Sequence, residues 1–581
     1  MTQQNNNVIV NLIWQIADDI LRDIYVKTKY RDVILPMTVI ARIDSELVES
    51  KEKVLQEYEK FKDKITNIEP ILKKATGYSF YNISPFTLQS LLKDPANIRA
   101  NFKQYLNGYS SNIQDIVSKF EFENQMKKLE DADILFALIQ KFVDSIDKIS
   151  PKNLSNHDMG YVFEELIRKF NAENNEEAGE HFTPREVIKL MTNLVFLPVQ
   201  DQIKDRPITI YDPCVGSGGM LSVAKEFIQG EESKIHSTGN IFTFGQEINP
   251  ETYALCKADM LLKGERDNQV AFGSTLSNDG FSNEKFDFIL TNPPYGKSWK
   301  LDQDKLASGK KKEILDPRFR VGTPRINDGQ LLFILHMISK MKHDTPLGTR
   351  IASVHNGSAL FTGDAGGGES EIRKHIIEND YLEAIIALPK ELFYNTGIGT
   401  YIWIITNRKP KERKGKIQLI NSVSEKFYTK LTKSLGNKRV ELKDIHIEKI
   451  FKLFEDFKEN EYSKIFDNDD FGYTQVVIER PQYDEKGEKI LKKGNPIPDT
   501  ELRDKESIPL KEDIQEYFNR EVLPFAPDAW MDRSKDKVGY EINFNKYFYE
   551  YTPPRDLIDI AKDILALENE TDGVLKEIIE N

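Results

Sequence analysis

At 581 residues with 39% hydrophobic and 10% aromatic content, the chain is long enough for two to four domains with substantial cores. A net charge of −13 excludes a chain that grips nucleic acid over its whole surface, because phosphate neutralisation needs a basic footprint. No apolar run reaches the roughly 18–20 residues that span a bilayer. Cys214 and Cys256 are the only cysteines, which excludes a disulfide framework and a Cys-rich zinc site. The opening "MTQQNNNVIVNLIWQIADDI" has neither the basic flank nor the cleavage site of a secretory signal, so a reducing, cytoplasmic setting is expected.

In chain order, residues 1–170 read as a helical domain. "VIVNLIWQIADDILRDIY" and "DADILFALIQKFVDSIDKI" repeat apolar residues at helical spacing. "ISPKNLSNHDMGYVFEELIRKF" predicts a further helix entered through Ser155 and Asn156, and the polar "NAENNEEAGE" then reads as a loop. Over 171–410 short apolar runs alternate with helical patterns: "ITIYD", "FTFGQE", "VAFG", "FDFILT", "TRIASV", "LEAIIAL" and "TYIWIIT". This alternation predicts an α/β fold with a doubly wound, mostly parallel sheet, in which ligands sit beyond the carboxyl ends of the strands. Residues 411–581 are charged and less regular and are expected to form a mostly helical, partner-docking tail. Within it "DEKGEKILKKGNPIPDTELRDKESIPL" reads as an exposed arm, and the end of the chain as an amphipathic helix.

The residues just after the strands carry the chemistry. "DPCVGSGGM" (212–220) offers Gly216, Gly218 and Gly219 for a tight turn and close ligand approach. It lacks the Lys-Ser/Thr of a phosphate loop and does not complete the dinucleotide GxGxxG pattern. Glu247 at the tip of the second strand is placed to accept ribose hydroxyls. A glycine loop and an acidic tip without phosphate chemistry point to a nucleoside cofactor lacking pyrophosphate, as S-adenosylmethionine does. "NPPY" (292–295) ends a buried strand with one carboxamide, two rigid prolines and an aromatic ring. The Asn292 oxygen and the Pro293 carbonyl suit an amine whose lone pair is delocalised, Pro294 stiffens the turn, and Tyr295 offers a stacking face for an extruded base.

In that order these motifs resemble those of amino-methyltransferases, which include N6-adenine DNA methyltransferases and protein-glutamine methyltransferases. "GEHFTPREV" (179–187), "LRDIYVKTKYRDVILPMTVIARID", "GSALFTGDAGGGESEIRKHIIENDYLEAIIALPKELFYNTGIGTYIWIITNRK" and "EVLPFAPDAWMDRSKDKVGYEINFNKYFYEYTPPR" resemble the methylation (modification) subunit of type I restriction–modification systems. The resemblance implies an S-adenosylmethionine-dependent, adenine-specific DNA methyltransferase whose sequence recognition comes from a specificity subunit. It further implies two methylation subunits per specificity subunit, and a restriction subunit as a further partner. Carried over residue by residue, Glu180, His181, Phe182, Thr183, Pro184, Arg185, Gly216, Ser217, Gly218 and Glu247 contact the cofactor. Asp212 shapes the glycine loop or approaches the methionine amino group, and Asn292 to Tyr295 hold the adenine. Ser274 stands where related enzymes often carry an acidic or amide residue that contacts the cofactor's adenine. A loop after the tetrad holds nine basic against four acidic residues, including Lys297, Lys300, Lys310, Lys311, Lys312, Arg318, Arg320 and Arg325. It is expected to clamp phosphates around a flipped base and, from its length and polarity, to be disordered without DNA. No metal is expected: the histidines show no ligand spacing, and methyl transfer needs none.

Overall fold

Strong apolar runs bounded by glycine, proline and asparagine become the central strands of the computed structural model, which describes residues 3–174, 183–266, 269–309, 313–394, 396–549 and 556–567. Before them the chain is helical. It opens with α1 (Gln3–Leu21) and α2 (Arg31–Leu47) and closes with α3 (Asn156–Asn174). Helix α2 is buried on nearly every face from Val33 to Leu47, as expected of a helix at the centre of a bundle. The bundle shares its core with the following region: Ala254, Leu255, Ala258 and Leu261 of α6 (Pro250–Leu262) pack among the helical-region residues. The Asn156 side chain also donates to the Leu262 carbonyl at 2.7 Å. Helix α3 is therefore fixed against the sheet-bearing region rather than tethered to it.

Nine strands form the main sheet: β1 (Ile208–Asp212), β2 (Ile241–Glu247), β3 (Val270–Phe272), β4 (Phe288–Thr291), β5 (Arg350–Asn356), β6 (Leu382–Ala387), β7 (Thr400–Thr406), β8 (Lys416–Asn421) and β9 (Ser463–Asp467). Their spatial order is β9-β8-β6-β7-β5-β4-β1-β2-β3. β3, β2, β1, β4 and β5 run parallel, as do β8 and β6; β7 is antiparallel to both β5 and β6, and edge strand β9 is antiparallel to β8. This is the doubly wound, mostly parallel sheet read from the sequence. α4 (Arg185–Phe196) and α5 (Gly219–Gln229) share a core with β1, β4 and β5. On the other face Tyr211, Phe281 and Phe286 form an aromatic cluster, and the Tyr211 hydroxyl meets His336 of α7 (Gln330–Ser339) at 3.1 Å.

The region past residue 411, expected to be mostly helical, is mixed. It contributes β8 and β9 to the main sheet and builds a second, antiparallel sheet around β10 (Gly472–Glu479). That strand pairs with β11 (Asp504–Pro509), β12 (Trp530–Met531) and β13 (Lys537–Tyr540). The expected exposed arm thus contains a strand. β11 buries only Ile508, so its sequence shows no apolar alternation. The sheet is anchored where Arg373 of α8 (Gly368–Glu378) donates to the Tyr540 carbonyl at 2.7 Å. The chain divides into two compact units, Met1–Ile542 and Asn543–Asn581. In the second, residues 557–567 form a helix with Leu557, Ile558, Ile560, Ile564, Leu565 and Leu567 exposed.

Candidate active site

β1 ends at Asp212, and the chain turns through Gly216 and Gly218 into α5. Both glycines have positive φ, 55° and 91°, a conformation that a side chain would strain. Glu247 at the end of β2 holds this turn from the neighbouring strand. Its Oε2 accepts the Gly216 N–H at 3.0 Å and its Oε1 accepts the Asn249 N–H at 2.7 Å. The tip of β4 is tied to the tip of β1, because the Thr291 hydroxyl donates to Asp212 Oδ1 at 2.7 Å and the Cys214 N–H donates to the same oxygen at 2.9 Å. Burial, with Glu247 adding negative charge nearby, pushes the Asp212 carboxyl up to about 7.

Asn292 follows directly. Its carboxamide nitrogen donates to the Thr183 hydroxyl at 3.0 Å. Its oxygen is buried and has no hydrogen-bond partner among the described residues. An orphaned amide oxygen costs about 1–3 kcal/mol, which an incoming N–H recovers. Pro293 is buried and Pro294 half-buried, so the two rings pack the acceptor carbonyls in place. The Tyr295 hydroxyl is likewise buried without a described partner, and burial pushes it up to about 12, so it stays protonated. Beyond the tetrad, Gly296 donates its N–H to Asp328 at 3.0 Å. Asp328 also accepts from the Gln330 amide at 2.8 Å and the Ser358 hydroxyl at 2.9 Å, locking the tetrad's exit to the end of β5.

Two adjoining cavities lie beyond the carboxyl ends of the strands, with Cys214 in the wall of both. The first brings together Thr183, Arg185, Asp212, Gly216, Ser217 and Asn292 with Glu164. The second brings Glu247 and Ser274 beside Pro294, Lys297, Trp299 and Asp302. Cys214 is inert here, since burial pushes its thiol well above its usual range. Pro184 caps α4 and is buried behind Thr183. Glu180, His181 and Phe182, and Lys310, Lys311 and Lys312, lie outside the described residues.

Sequence reasoning missed Glu164. It comes from α3 in the helical region, is buried, and accepts both Arg185 Nε and an Arg185 terminal nitrogen at 3.2 and 2.9 Å. A glutamate pair inside the apolar run "YVFEELI" was the available signal. The basic loop is also different from expectation. Its described part folds: Lys300–Leu306 is helical, and the Trp299 indole is buried and donates to the Arg325 carbonyl at 3.1 Å. Arg318 points inward rather than outward, donating to the Thr275 carbonyl at 2.9 Å, the Leu276 carbonyl at 2.6 Å and Asp316 at 2.7 Å. Lys300, Arg320 and Arg325 are exposed and Lys297 is half-buried.

The family model described as N-6 DNA methylase matches residues 154–489, a span that contains every one of these site residues. The chain belongs to the N-6 DNA methylase family. A second family model, the HsdM N-terminal domain, matches residues 9–142 of the helical region. The type I restriction enzyme MjaIX methylase subunit of Methanocaldococcus jannaschii is 25% identical over 530 residues, covering 84% of this chain and 85% of that protein. The HindI methylase subunit of Haemophilus influenzae is 30% identical over 266 residues, 45% of this chain and 54% of that one. Among solved structures, the type I restriction-modification methyltransferase subunit from Streptococcus thermophilus shares the fold, with a TM-score of 0.61 at 22% identity over 80% of this chain and 96% of that one. The methylase uses S-adenosylmethionine, and the donor set fits it: carboxylates at the tips of β1 and β2, a glycine turn between them and a carboxamide at the tip of β4. Among the described residues no His/Cys/Asp/Glu group could hold a metal ion.

Proposed function

We propose that this chain is the methylation subunit of a type I restriction–modification enzyme and methylates N6 of a flipped adenine in double-stranded DNA. The observation that carries the reading is the Asn292 carboxamide: nitrogen held by Thr183, oxygen buried and without a described partner, at the carboxyl end of a core strand. When bound, S-adenosylmethionine supplies an electrophilic methyl group. The chain's own residues prepare the nucleophile. Asn292 Oδ1 and the Pro293 carbonyl accept the two amine hydrogens and draw the nitrogen lone pair out of conjugation with the ring. Preorganised acceptors of this kind act without reorganising during the reaction. Tyr295 stacks on the base that extrusion delivers. The amine attacks as a neutral group and gives up its proton to solvent only after the new N–C bond has formed, so no strong base is required.

Asp212 and Glu164 accept the cofactor's amino group, Arg185 braces Glu164, and Glu247 accepts the ribose hydroxyls while holding the glycine turn. Catalysis is centred on residues 171–410, with Glu164 contributed by the helical region before it. Lys297, Lys300, Arg320 and Arg325 meet DNA phosphates. A specificity subunit reads the sequence, two methylation subunits flank it, and a restriction subunit joins them. The relatives' names as type I methylase subunits and the net charge of −13 support that division of labour. So does the exposed stripe Leu557, Ile560, Ile564 and Leu567, which has the spacing of a helix-packing seam. Among the described residues no helix is long and apolar enough to cross a membrane, which suits work on DNA in the cytoplasm.

The test compares N6-methyladenine in genomic DNA, by nucleoside mass spectrometry, between cells with the intact system and cells carrying Asn292→Ala, partner genes in place. Loss of the mark is expected. Unchanged levels from an expressed system would reject adenine as the substrate and redirect the site to a protein amide.

A further inference from the structure

We propose that Asp302 accepts the exocyclic amine of the cofactor's nucleobase. The assignment rests on the S-adenosylmethionine reading above and adds a residue outside the segments that carry it.

The second cavity extends from Glu247, at the tip of β2, past the turn after β3. With the ribose at Glu247, this cavity is the one that Glu247 itself lines and that receives the attached base. Its walls suit a flat ring. Ile248 is 61% exposed beside it, and the side chains of Trp299 and Phe333 supply apolar and aromatic surface. One carboxylate reaches this slot away from Glu247. The Ser274 and Ser277 hydroxyls both donate to Asp302 Oδ1, each at 2.6 Å. Each hydroxyl has a single proton, so both are spent as donors, and Oδ2 remains as an acceptor. An ionised carboxylate accepts and never donates. A slot with that edge favours a base presenting an amine and rejects one presenting a carbonyl at the same place.

Asp302 lies only ten residues past Asn292, on the helix Lys300–Leu306 that follows the tetrad. The helix is fixed at its start: the Trp299 backbone N–H donates to the Ile326 carbonyl at 3.0 Å and its indole N–H to the Arg325 carbonyl at 3.1 Å. The turn after β3 thus offers a hydroxyl at Ser274, and the carboxylate arrives from the segment after the catalytic turn instead.

Isothermal titration of the full chain with S-adenosylhomocysteine and with its 6-oxo counterpart, S-inosylhomocysteine, tests this directly. The wild-type protein is expected to prefer the adenosyl ligand by about 10- to 100-fold, the value of a hydrogen bond to a charged group. Asp302→Asn should erase most of that preference, because a carboxamide can also donate to the carbonyl. Adding Ser274→Asp to that variant should restore it. An unchanged ratio in Asp302→Asn overturns the proposal, and so does a wild-type protein that binds both ligands equally, which requires no variant to fold. Failure of the wild type to bind either ligand would instead overturn the cofactor reading itself, and this assignment with it.

Discussion

Thr183 gives the most direct handle on how the acceptor at Asn292 is held. Its hydroxyl takes one carboxamide proton at 3.0 Å, and the opposite face of the amide, the oxygen, has no described partner. Replacing Thr183 by Val keeps the shape and deletes the hydroxyl. The amide then loses the contact that distinguishes its nitrogen from its oxygen, and flipped and rotated states compete with the productive one. A neutral hydrogen bond is worth about 0.5–1.5 kcal/mol net, and removing one preorganised oxyanion-hole donor, the nearest analogue of this acceptor, costs about 2.7–4 kcal/mol in the transition state. Misorientation lies between these, so we expect about 2 kcal/mol, a 30-fold loss in the chemical step. The assay is single-turnover methylation of unmethylated genomic DNA by the complex with its specificity subunit at saturating radiolabelled S-adenosylmethionine. Saturation matters because Thr183 also lines the cofactor cavity. Thr183→Ser retains the hydroxyl and should stay within about threefold of wild type. A Val variant as fast as wild type, or a Ser variant as slow as Val, would refute the orienting role.

The Asp212 carboxyl titrates near 3.9 in an unfolded chain and about 7 when folded, so between those values the folded state holds the extra proton. Its contribution to stability is therefore full below about pH 4, declines as pH rises to about 7 and is level above. By linkage the decline is a few kcal/mol at most. Urea unfolding across this range should show the decline in wild type relative to Asp212→Asn, and parallel curves would reject it. The two arginines of the basic loop should separate cleanly: Arg318→Ala lowers the unfolding midpoint because its half-buried, inward-pointing guanidinium ties Asp316 to the turn after β3. Arg320→Ala leaves the midpoint alone and flattens the salt dependence of DNA binding by the assembled complex, by about 0.9 in slope if one phosphate contact is lost. Equal salt slopes in Arg320→Ala and wild type would remove Arg320 from the DNA interface.

The main sheet was legible because its central strands are buried on both faces and read as continuous apolar runs; all seven runs from "ITIYD" to "TYIWIIT" are strands within two residues of the reading. What escaped was broken or one-sided. β8 is buried from Ile417 to Ile420, but Gln418 interrupts its apolar run, β9 buries only Ser463, and β11 of the second sheet buries one side chain out of six, so none of the three has a period that stands out from a charged loop. The site divides along the same line. Gly216, Gly218, Glu247 and the Asn292 tetrad were readable because strand ends and backbone constraints put them there. Glu164, Asp302 and Asp328 were not, because each reaches the site only through packing of a segment distant in sequence or folded back on itself. Arg318 shows the converse error: a charge run suggests a solvated edge, yet two carbonyls, Asp316 and His336 draw this one guanidinium inside.

Charge separates what the two cavities favour from what DNA needs. Glu164, Asp212, Glu247 and Asp302 line the two cavities, against Arg185 and Lys297 as the basic groups there. That excess of carboxylate suits a cofactor carrying a sulfonium and an ammonium group, and raises its local concentration by the same field that opposes a phosphate backbone. The opposition decays over a Debye length of about 8 Å at physiological salt. Exposed cations therefore help most beyond that distance from the carboxylates, the role proposed for Lys300, Arg320 and Arg325 on the segment that follows the tetrad. A few such contacts cannot outweigh a chain with a net charge of −13. The affinity that holds DNA long enough for a base to leave the stack has to come mostly from another chain, and an apolar seam such as that on residues 557–567 is the kind of surface through which one chain borrows the grip of another.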